Sequence, residues 1–360
     1  MRIAFIARST LFTVRGGDTR QMEMTAKYLR KLGVSVDIRL SGAHIEYKDY
    51  DLLHFFNIIR PADIMVHVER SGLPFVISPI FVEYDGINEK SKGGLFSIAS
   101  KLLGNERMEY VKSIARWVLN GEKITSKKYL LLGHGGAIKW LLNRVGYLLP
   151  NSESEMRRFR KAYNTNCTYH IVPNGIDTEI ADRKVEQNAE YKDAVICVAR
   201  FEPLKNQLAL IEAMRGSDIK VYLHGKPSPN NIAYYEQCVR AAGGNIQIRD
   251  WLEGDELFSV FASARVHALP SYFETTGLSS LEAAVMGCNI VVTNRGDQPD
   301  YFKGDAWYCK PDDVASIRKA VEGAYNAPYN IAFKQRILEH YTWQRAAEET
   351  LKAYKEVLKD

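Results

Sequence analysis

Residues 271–287 read SYFETTGLSSLEAAVMG, and this stretch decides how the chain is read. It follows an apolar run at 266–269 and places two carboxylates, Glu274 and Glu282, around a short turn, Thr275-Thr276-Gly277-Leu278. A helix opens there, with Ser279 or Ser280 expected as its N-cap. The first turn of a helix offers N–H groups without intrahelical acceptors and the positive end of the dipole, a combination that attracts phosphate. Glu274 stands just before those amides and Glu282 about one turn inside the helix. One carboxylate then meets a polar group beyond a bound phosphate while the other reaches a sugar hydroxyl on the near side. That arrangement suits a sugar nucleotide, which has hydroxyls on both sides of its diphosphate. A helix with an incidental acid at each end fits the same residues.

Around this stretch, strand-like and helix-like segments alternate from end to end, as in an α/β protein with parallel sheets. Residues 3–7 form a short apolar run. Met22, Ala26, Leu29 and Leu32 repeat at helical spacing, and Val34, Val36, Ile38 and Leu40 alternate as a strand does. Runs at 52–56, 75–80 and 147–150 read as further strands. Ser152 and Glu155 have capping-box spacing. Two amphipathic helices are expected, one on Met108, Val111, Ala115, Val118 and Leu119, the other on Ile138, Leu141, Leu142, Val145 and Leu148. Beyond the turn at Pro173-Asn174-Gly175, strands are expected at 194–198, 220–223, 245–248, 266–269 and 290–292, with helices between them (206–214, 232–242, 256–262). That is a second doubly wound sheet. No fixed-period repeat and no low-complexity segment interrupts it.

The totals agree. At 360 residues the chain suits two domains. Hydrophobic residues make up 46%, charged residues 25%, and the mean hydropathy is −0.26, ordinary for a globular protein. No run of 18 apolar residues exists, and the start, MRIAFIARST, lacks a signal-peptide core, so a cytoplasmic protein is expected. The five cysteines (Cys167, Cys197, Cys238, Cys288, Cys309) are odd in number and never form C-x-x-C, which fits a reducing compartment and no metal framework. The net charge of +5 is unevenly spread. Between Lys90 and Arg144 eleven lysines and arginines face only Glu106, Glu109 and Glu122, so that stretch carries +8 and the remainder −3. It reads either as a solvated face or as a surface for anionic lipid head groups or an anionic acceptor. Nucleic acid is not expected, because no binding motif accompanies the charge.

Several segments together carry a resemblance. Glu274-TTGLSSL-Glu282 is similar to the two-glutamate signature of the retaining family 4 glycosyltransferases, also called glycosyl transferases group 1. IVPNGID at 171–177, VARFEPLKNQLALIEAM at 198–214 and YTWQRAAEETLKAYKEVL at 341–358 resemble that family's segments in the same order. The likeness covers about half the chain, mostly after residue 145. It implies the GT-B fold, two Rossmann-like doubly wound parallel-sheet domains facing a central cleft. An acceptor-binding domain would span 1–170, a nucleotide-sugar-binding domain 171–340, and a helix at 341–360 would cross back to the first domain.

The resemblance also assigns residues. Arg15-Gly16-Gly17 matches the family's glycine-rich loop, where glycines let backbone amides approach a phosphate; a plain turn fits equally well. No Rossmann G-x-G-x-x-G stands there, which argues against a dinucleotide dehydrogenase. Arg200 and Lys205 flank the turn after a strand, where open α/β sheets bind ligands, and would stabilise the charge on a leaving diphosphate without a metal. With Glu274 they form the expected catalytic set. The donor set adds Gly16, Gly17, Trp251, Thr275, Thr276, Gly277, Leu278 and Glu282, with Glu282 facing the ribose, Glu274 the transferred sugar and Trp251 the base, although simple packing beside the strand end fits Trp251 equally well. Asp297 and Gln298 are donor neighbours, and His224 reads as a satisfied structural histidine. Many family members carry an acceptor-side histidine where this chain has SPIFVEYDG, so Glu83, Asp85 and His134 are the acceptor-side candidates. The implied activity is metal-independent transfer of a hexose, with retention, from a nucleotide diphosphate sugar to a glycan or lipid-linked glycan. A sugar-nucleotide epimerase on the same fold and a non-catalytic carbohydrate-binding relative are the alternatives.

Overall fold

The computed structural model describes residues 1–13, 16–82, 126–228 and 230–359. It divides into two compact units, Met1–Pro173 with Trp343–Asp360, and Asn174–Thr342. Each is a parallel sheet wrapped by helices, the doubly wound architecture that alternating strands and helices imply.

In the first unit the strands are β1 (Arg2–Ala7), β2 (Ser35–Leu40), β3 (Leu52–Phe56), β4 (Phe75–Ser78) and β5 (Tyr147–Leu148), in the order β2-β1-β3-β4-β5, all parallel. The helices are α1 (Gly17–Lys31), α2 (Pro61–Ser71), α3 (Lys127–Leu142) and α4 (Glu153–Tyr163). Strands β1, β3 and β4 are buried except at Arg2, and mostly apolar, because helices cover both faces of the sheet. Helix α4 starts as the capping pair requires. Ser152 Oγ accepts from Glu155 N at 2.9 Å, while the fully buried Glu155 carboxylate accepts from Asn151 N at 2.6 Å and Phe81 N at 2.7 Å. The carboxylate therefore ties the helix start to the chain leaving β4. The helical stripe expected through Val145 and Leu148 is shorter than its spacing suggested. Helix α3 stops at Leu142, and Leu148 belongs to β5. The turn between them passes Gly146, where a Cβ would lie 2.9 Å from the Val357 methyls, too close for a helical side chain.

The second unit contains β6 (Val195–Val198), α5 (Gln207–Met214), β7 (Val221–His224), α6 (Ile232–Ala241), β8 (Ile246–Arg249), α7 (Gly254–Ser263), β9 (Val266–Leu269), α8 (Leu278–Met286), β10 (Asn289–Thr293), α9 (Gln298–Phe302), β11 (Trp307–Cys309), α10 (Val314–Asn326) and α11 (Ile331–His340). Its parallel sheet runs β11-β10-β9-β6-β7-β8. Chain order reverses between β6 and β9, which pair through Val195–Val266 and Ile196–His267. Ligands of open α/β sheets bind beyond the carboxyl ends of strands at such a switch point.

The last helix, α12 (Trp343–Val357), returns to the first unit and packs on α1. Its Tyr354 hydroxyl meets His54 Nδ1 at 2.6 Å, and His54 Nε2 lies 2.9 Å from Ser78 Oγ. Burial pushes His54 down to about 3, His67 to about 4 and, in the second unit, His267 to about 3. These rings stay neutral when folded but take up protons near 6.5 once unfolded. Stability is therefore fully present above about pH 6.5 and is lost as pH falls toward the folded values. Each histidine contributes up to about 1.4 kcal/mol per pH unit within that window. Urea unfolding at pH 7 and pH 5 is expected to differ by several kcal/mol, and equal stabilities would contradict the burial of these rings as neutral groups.

Candidate active site

The switch point assembles the two loops that matter. After β6 the chain passes Arg200, makes a 3-10 turn over Pro203–Lys205 and enters α5 through Asn206, which takes a left-handed conformation (φ 58°). Asparagine tolerates that conformation and uses its side chain locally. Here Asn206 Nδ2 donates to the carbonyls of Pro270 (3.1 Å) and Pro311 (2.8 Å). Tyr272 N donates to the Leu204 carbonyl at 2.8 Å, so the loop after β6 is laced to the loop after β9.

That lacing brings Lys205 and Glu274 together. Lys205 Nζ lies 2.5 Å from Glu274 Oε1, and Ser271 Oγ donates to the same oxygen at 2.7 Å. Both side chains are largely buried, 18% exposed for Lys205 and 9% for Glu274. Among the described residues Oε2 of Glu274 receives no hydrogen bond, which leaves it for a ligand hydroxyl. The backbone of Glu274 is clamped too, since its carbonyl accepts from Asp297 N at 2.9 Å and it bridges Gly296. Gly296 has φ 74°, and a Cβ there would overlap the Glu274 carbonyl, so only glycine fits.

Helix α8 begins two residues before the first of its expected caps. Gly277 (φ 68°, ψ 57°) is the N-cap, and Ser280 lies inside the helix with Oγ 3.3 Å from His267 Nδ1. A left-handed glycine turns the chain into the helix at once, which a serine cap does only from extended backbone. The first amides of α8 therefore follow Glu274 directly. Thr276 is fixed from behind, its Oγ1 accepting from Asn174 Nδ2 at 3.1 Å. Glu282 is the fifth residue of α8 and half-buried. Arg200 is 40% exposed, with Nη2 3.5 Å from Glu202 Oε1, and its carbonyl accepts from Gln207 Nε2 at 2.8 Å.

The remaining candidates are spread more widely. Trp251, just beyond β8, is half-buried and donates to Glu253 Oε1 at 2.8 Å. His224 ends β7 rather than following it; its Nδ1 is bonded, but its Nε2 is not. In the first unit Gly16 and Gly17 open α1 beyond β1, and an added Cβ on Gly17 would meet open space. Arg8 braces this loop on Asp18 (2.9 Å) and Thr10 O (2.8 Å). A cavity opens at the carboxyl ends of β1 and β3, lined by residues that include Arg8, Ser41, Asn57 and Arg60, none of which a sequence motif marks. His134 is buried inside α3, just past a break at Gly133 (φ 67°, ψ −177°), with Nδ1 3.5 Å from the Tyr129 hydroxyl. Glu83 and Asp85 lie outside the described residues. Among the described residues no cluster of His, Cys, Asp or Glu has the make-up of a metal site.

Residues 178–337, which hold Arg200, Lys205, Glu274 and α8, match the model of the family described as glycosyl transferases group 1. The matched residues lie within the second unit, Asn174–Thr342. MMP alpha-(1->4)-mannosyltransferase of Mycolicibacterium hassiacum is 25% identical over 204 residues, 52% of this chain and 48% of that protein. The match thus spans about half the length of that relative. Among solved structures, sucrose-phosphate synthase from Thermosynechococcus elongatus superposes with a TM-score of 0.72 at 14% identity over 100% of both chains. Anabaena HepE, solved in complex with UDP, gives 0.68 at 13% over 99% of this chain and 100% of that one. These likenesses establish the GT-B fold of two doubly wound units.

Proposed function

We propose that the chain is a retaining glycosyltransferase that moves a hexose from a nucleotide diphosphate sugar to a glycan or lipid-linked glycan, as in the synthesis of a cell-surface polysaccharide or glycolipid in the cytoplasm. The observation that carries this reading is the Lys205–Glu274 pair at the β6/β9 switch point, beside the Gly277-capped start of α8. The diphosphate lies at the amides of α8, where the helix dipole favours negative charge. As the glycosidic bond breaks, charge grows on the leaving phosphate and the ammonium of Lys205 and guanidinium of Arg200 offset it. Glu274 Oε2 takes a hydroxyl of the transferred sugar, while Oε1 keeps Lys205 in place. The acceptor attacks from the face the diphosphate leaves, and a phosphate oxygen helps remove its proton. That UDP was found in Anabaena HepE supports a nucleoside diphosphate as the leaving group here.

Two fixed cations supply the charge that a divalent metal supplies elsewhere, so transfer proceeds without a metal. Activity is expected to survive EDTA. Complete loss, with recovery on adding manganese or magnesium, would overturn this part of the mechanism. The nucleotide itself is tested by thermal unfolding with UDP, GDP and ADP. A ligand at a hundred times its Kd adds about 2.7 kcal/mol of stability, and no shift with any of the three would contradict the reading.

An acceptor on an anionic membrane is favoured by one structural feature. Leu130, Leu131 and Leu132 at the start of α3 are 41%, 88% and 40% exposed, beside Lys128 and within the stretch that carries +8. Three adjacent exposed leucines are unusual on a surface that meets only water. Cations near an anionic surface contribute about 1 kcal/mol each and are screened by salt. Among the described residues no helix is long and apolar enough to cross a membrane. Salt-sensitive co-sedimentation with anionic liposomes is expected, weakened by Leu131→Asp and lost when Lys123, Lys127 and Lys128 become glutamate. No binding at low salt would make the basic stretch a solvated face.

A further inference from the structure

His224 is the last residue of β7 and only 2% exposed. Its Nδ1 lies 2.9 Å from the Asp250 carbonyl oxygen. A carbonyl accepts and never donates, so Nδ1 carries the hydrogen. In a neutral imidazole the other nitrogen, Nε2, is then a bare acceptor, and it has no hydrogen-bond partner among the described residues. Burial lowers the affinity of this ring for a second proton, which keeps the acceptor available. A buried acceptor without a donor is costly and calls for a reason.

The position supplies one. In the sheet order β9-β6-β7-β8, Glu274 follows β9, Arg200 follows β6 and His224 ends β7. Neighbouring strands lie about 4.8 Å apart, so β7 ends roughly 10 Å from the end of β9, a span within reach of a nucleoside whose diphosphate is at α8. The ends of β6 and β7 are pressed together there. A Cβ at Gly225 would overlap the Ala199 carbonyl, and Gly225 N donates to Arg249 O at 3.4 Å. Trp251 follows Asp250 directly, so the residue that fixes the His224 tautomer also leads into the aromatic ring on this edge. Tyr191, 5.5 Å from the His224 ring, packs it on another side.

We infer that His224 is a specificity-determining residue of the donor site, whose Nε2 accepts a hydrogen bond from an N–H group of the nucleobase. This rests on the donor reading of the second unit. The base enters beside Trp251 and supplies the one partner that the ring lacks. The tautomer is set before binding, so a base edge is selected for presenting a donor at this point and penalised for presenting an acceptor or a methyl group.

The test is calorimetric binding of UDP, GDP and ADP, with pyrophosphate as the base-free control, to wild type, His224→Leu and His224→Gln. Glutamine can place an amide oxygen near the position of Nε2. For the nucleotide that binds best, His224→Leu is expected to weaken affinity about 10- to 100-fold, pyrophosphate to be unaffected and His224→Gln to recover most of the loss. Wild type is also expected to bind the base-methylated analogue of that nucleotide (N3-methyl-UDP, N1-methyl-GDP or N6,N6-dimethyl-ADP) at least tenfold more weakly, a result that needs no variant to fold. Equal affinity of wild type for nucleotide and methylated analogue, or a His224→Leu loss shared by pyrophosphate, would overturn the role of His224 while leaving the donor site standing. Failure of wild type to bind any of the three nucleotides would overturn both.

Discussion

Replacing Arg200 and Lys205 together by alanine is expected to lower kcat about 10³-fold or more while the protein keeps its fold. Removing a single donor aimed at developing charge typically costs 10²–10³ in kcat, and the proposed mechanism sets these two on one leaving phosphate, so their losses need not multiply. The single variants should differ in kind. Arg200 is 40% exposed and only loosely held by Glu202, so Arg200→Ala removes charge and little else. Lys205→Ala also strips the partner from a Glu274 side chain that is only 9% exposed, leaving Ser271 as its remaining donor. It should therefore cost stability as well as turnover, because an uncompensated buried charge is destabilising. Steady-state kinetics with thermal unfolding separates the two contributions. A double variant within tenfold of wild type in kcat would remove both cations from the mechanism.

The second large effect concerns the glutamates. Glu274→Ala is expected to lower kcat about 100-fold with a modest change in donor KM, since the proposed mechanism sets its open oxygen against the sugar that moves. Glu282→Ala, inside α8, should raise the donor Kd about 10- to 100-fold and leave kcat nearly intact, because the ribose that the family resemblance sets against Glu282 would be held alike in ground and transition states. Glu274→Gln keeps the shape and the Ser271 contact but loses the charge opposite Lys205, so a shortfall in kcat there measures the ion pair. Equal losses of kcat in Glu274→Ala and Glu282→Ala would show that the two residues do not divide the donor between them.

The two doubly wound sheets and the strand–turn–helix around Glu274 were legible in the sequence, because each rests on local periodicity and short turns, whereas the return of the last helix was implied only by the family resemblance. The N-cap of α8 was misread by two or three residues. Serine is the common cap, and nothing local announces that Gly277 takes the left-handed conformation instead. What joins the site was not legible at all. Asn206 reaching Pro270 and Pro311, Ser271 on Glu274 and Gly296 against the Glu274 backbone are contacts between loops up to 105 residues apart. Only the sheet order, with β6 next to β9, makes them neighbours. His224 shows a different limit. A histidine at a strand end reads as structural, and the ring is indeed buried, yet only coordinates reveal that one nitrogen is bonded and the other is not.

The central claim is that the second unit binds a nucleotide sugar and activates it through Lys205 and Glu274. It is tested most directly by incubating wild type and Glu274→Ala with UDP-, GDP- and ADP-hexoses, water serving as the acceptor, and following the reaction by phosphorus and proton NMR. The predicted result is release of nucleoside diphosphate from at least one donor, with the free sugar appearing first in the donor's own anomeric configuration and release falling about 100-fold in Glu274→Ala. No release from any of the three donors, or release that Glu274→Ala leaves unchanged, would contradict it.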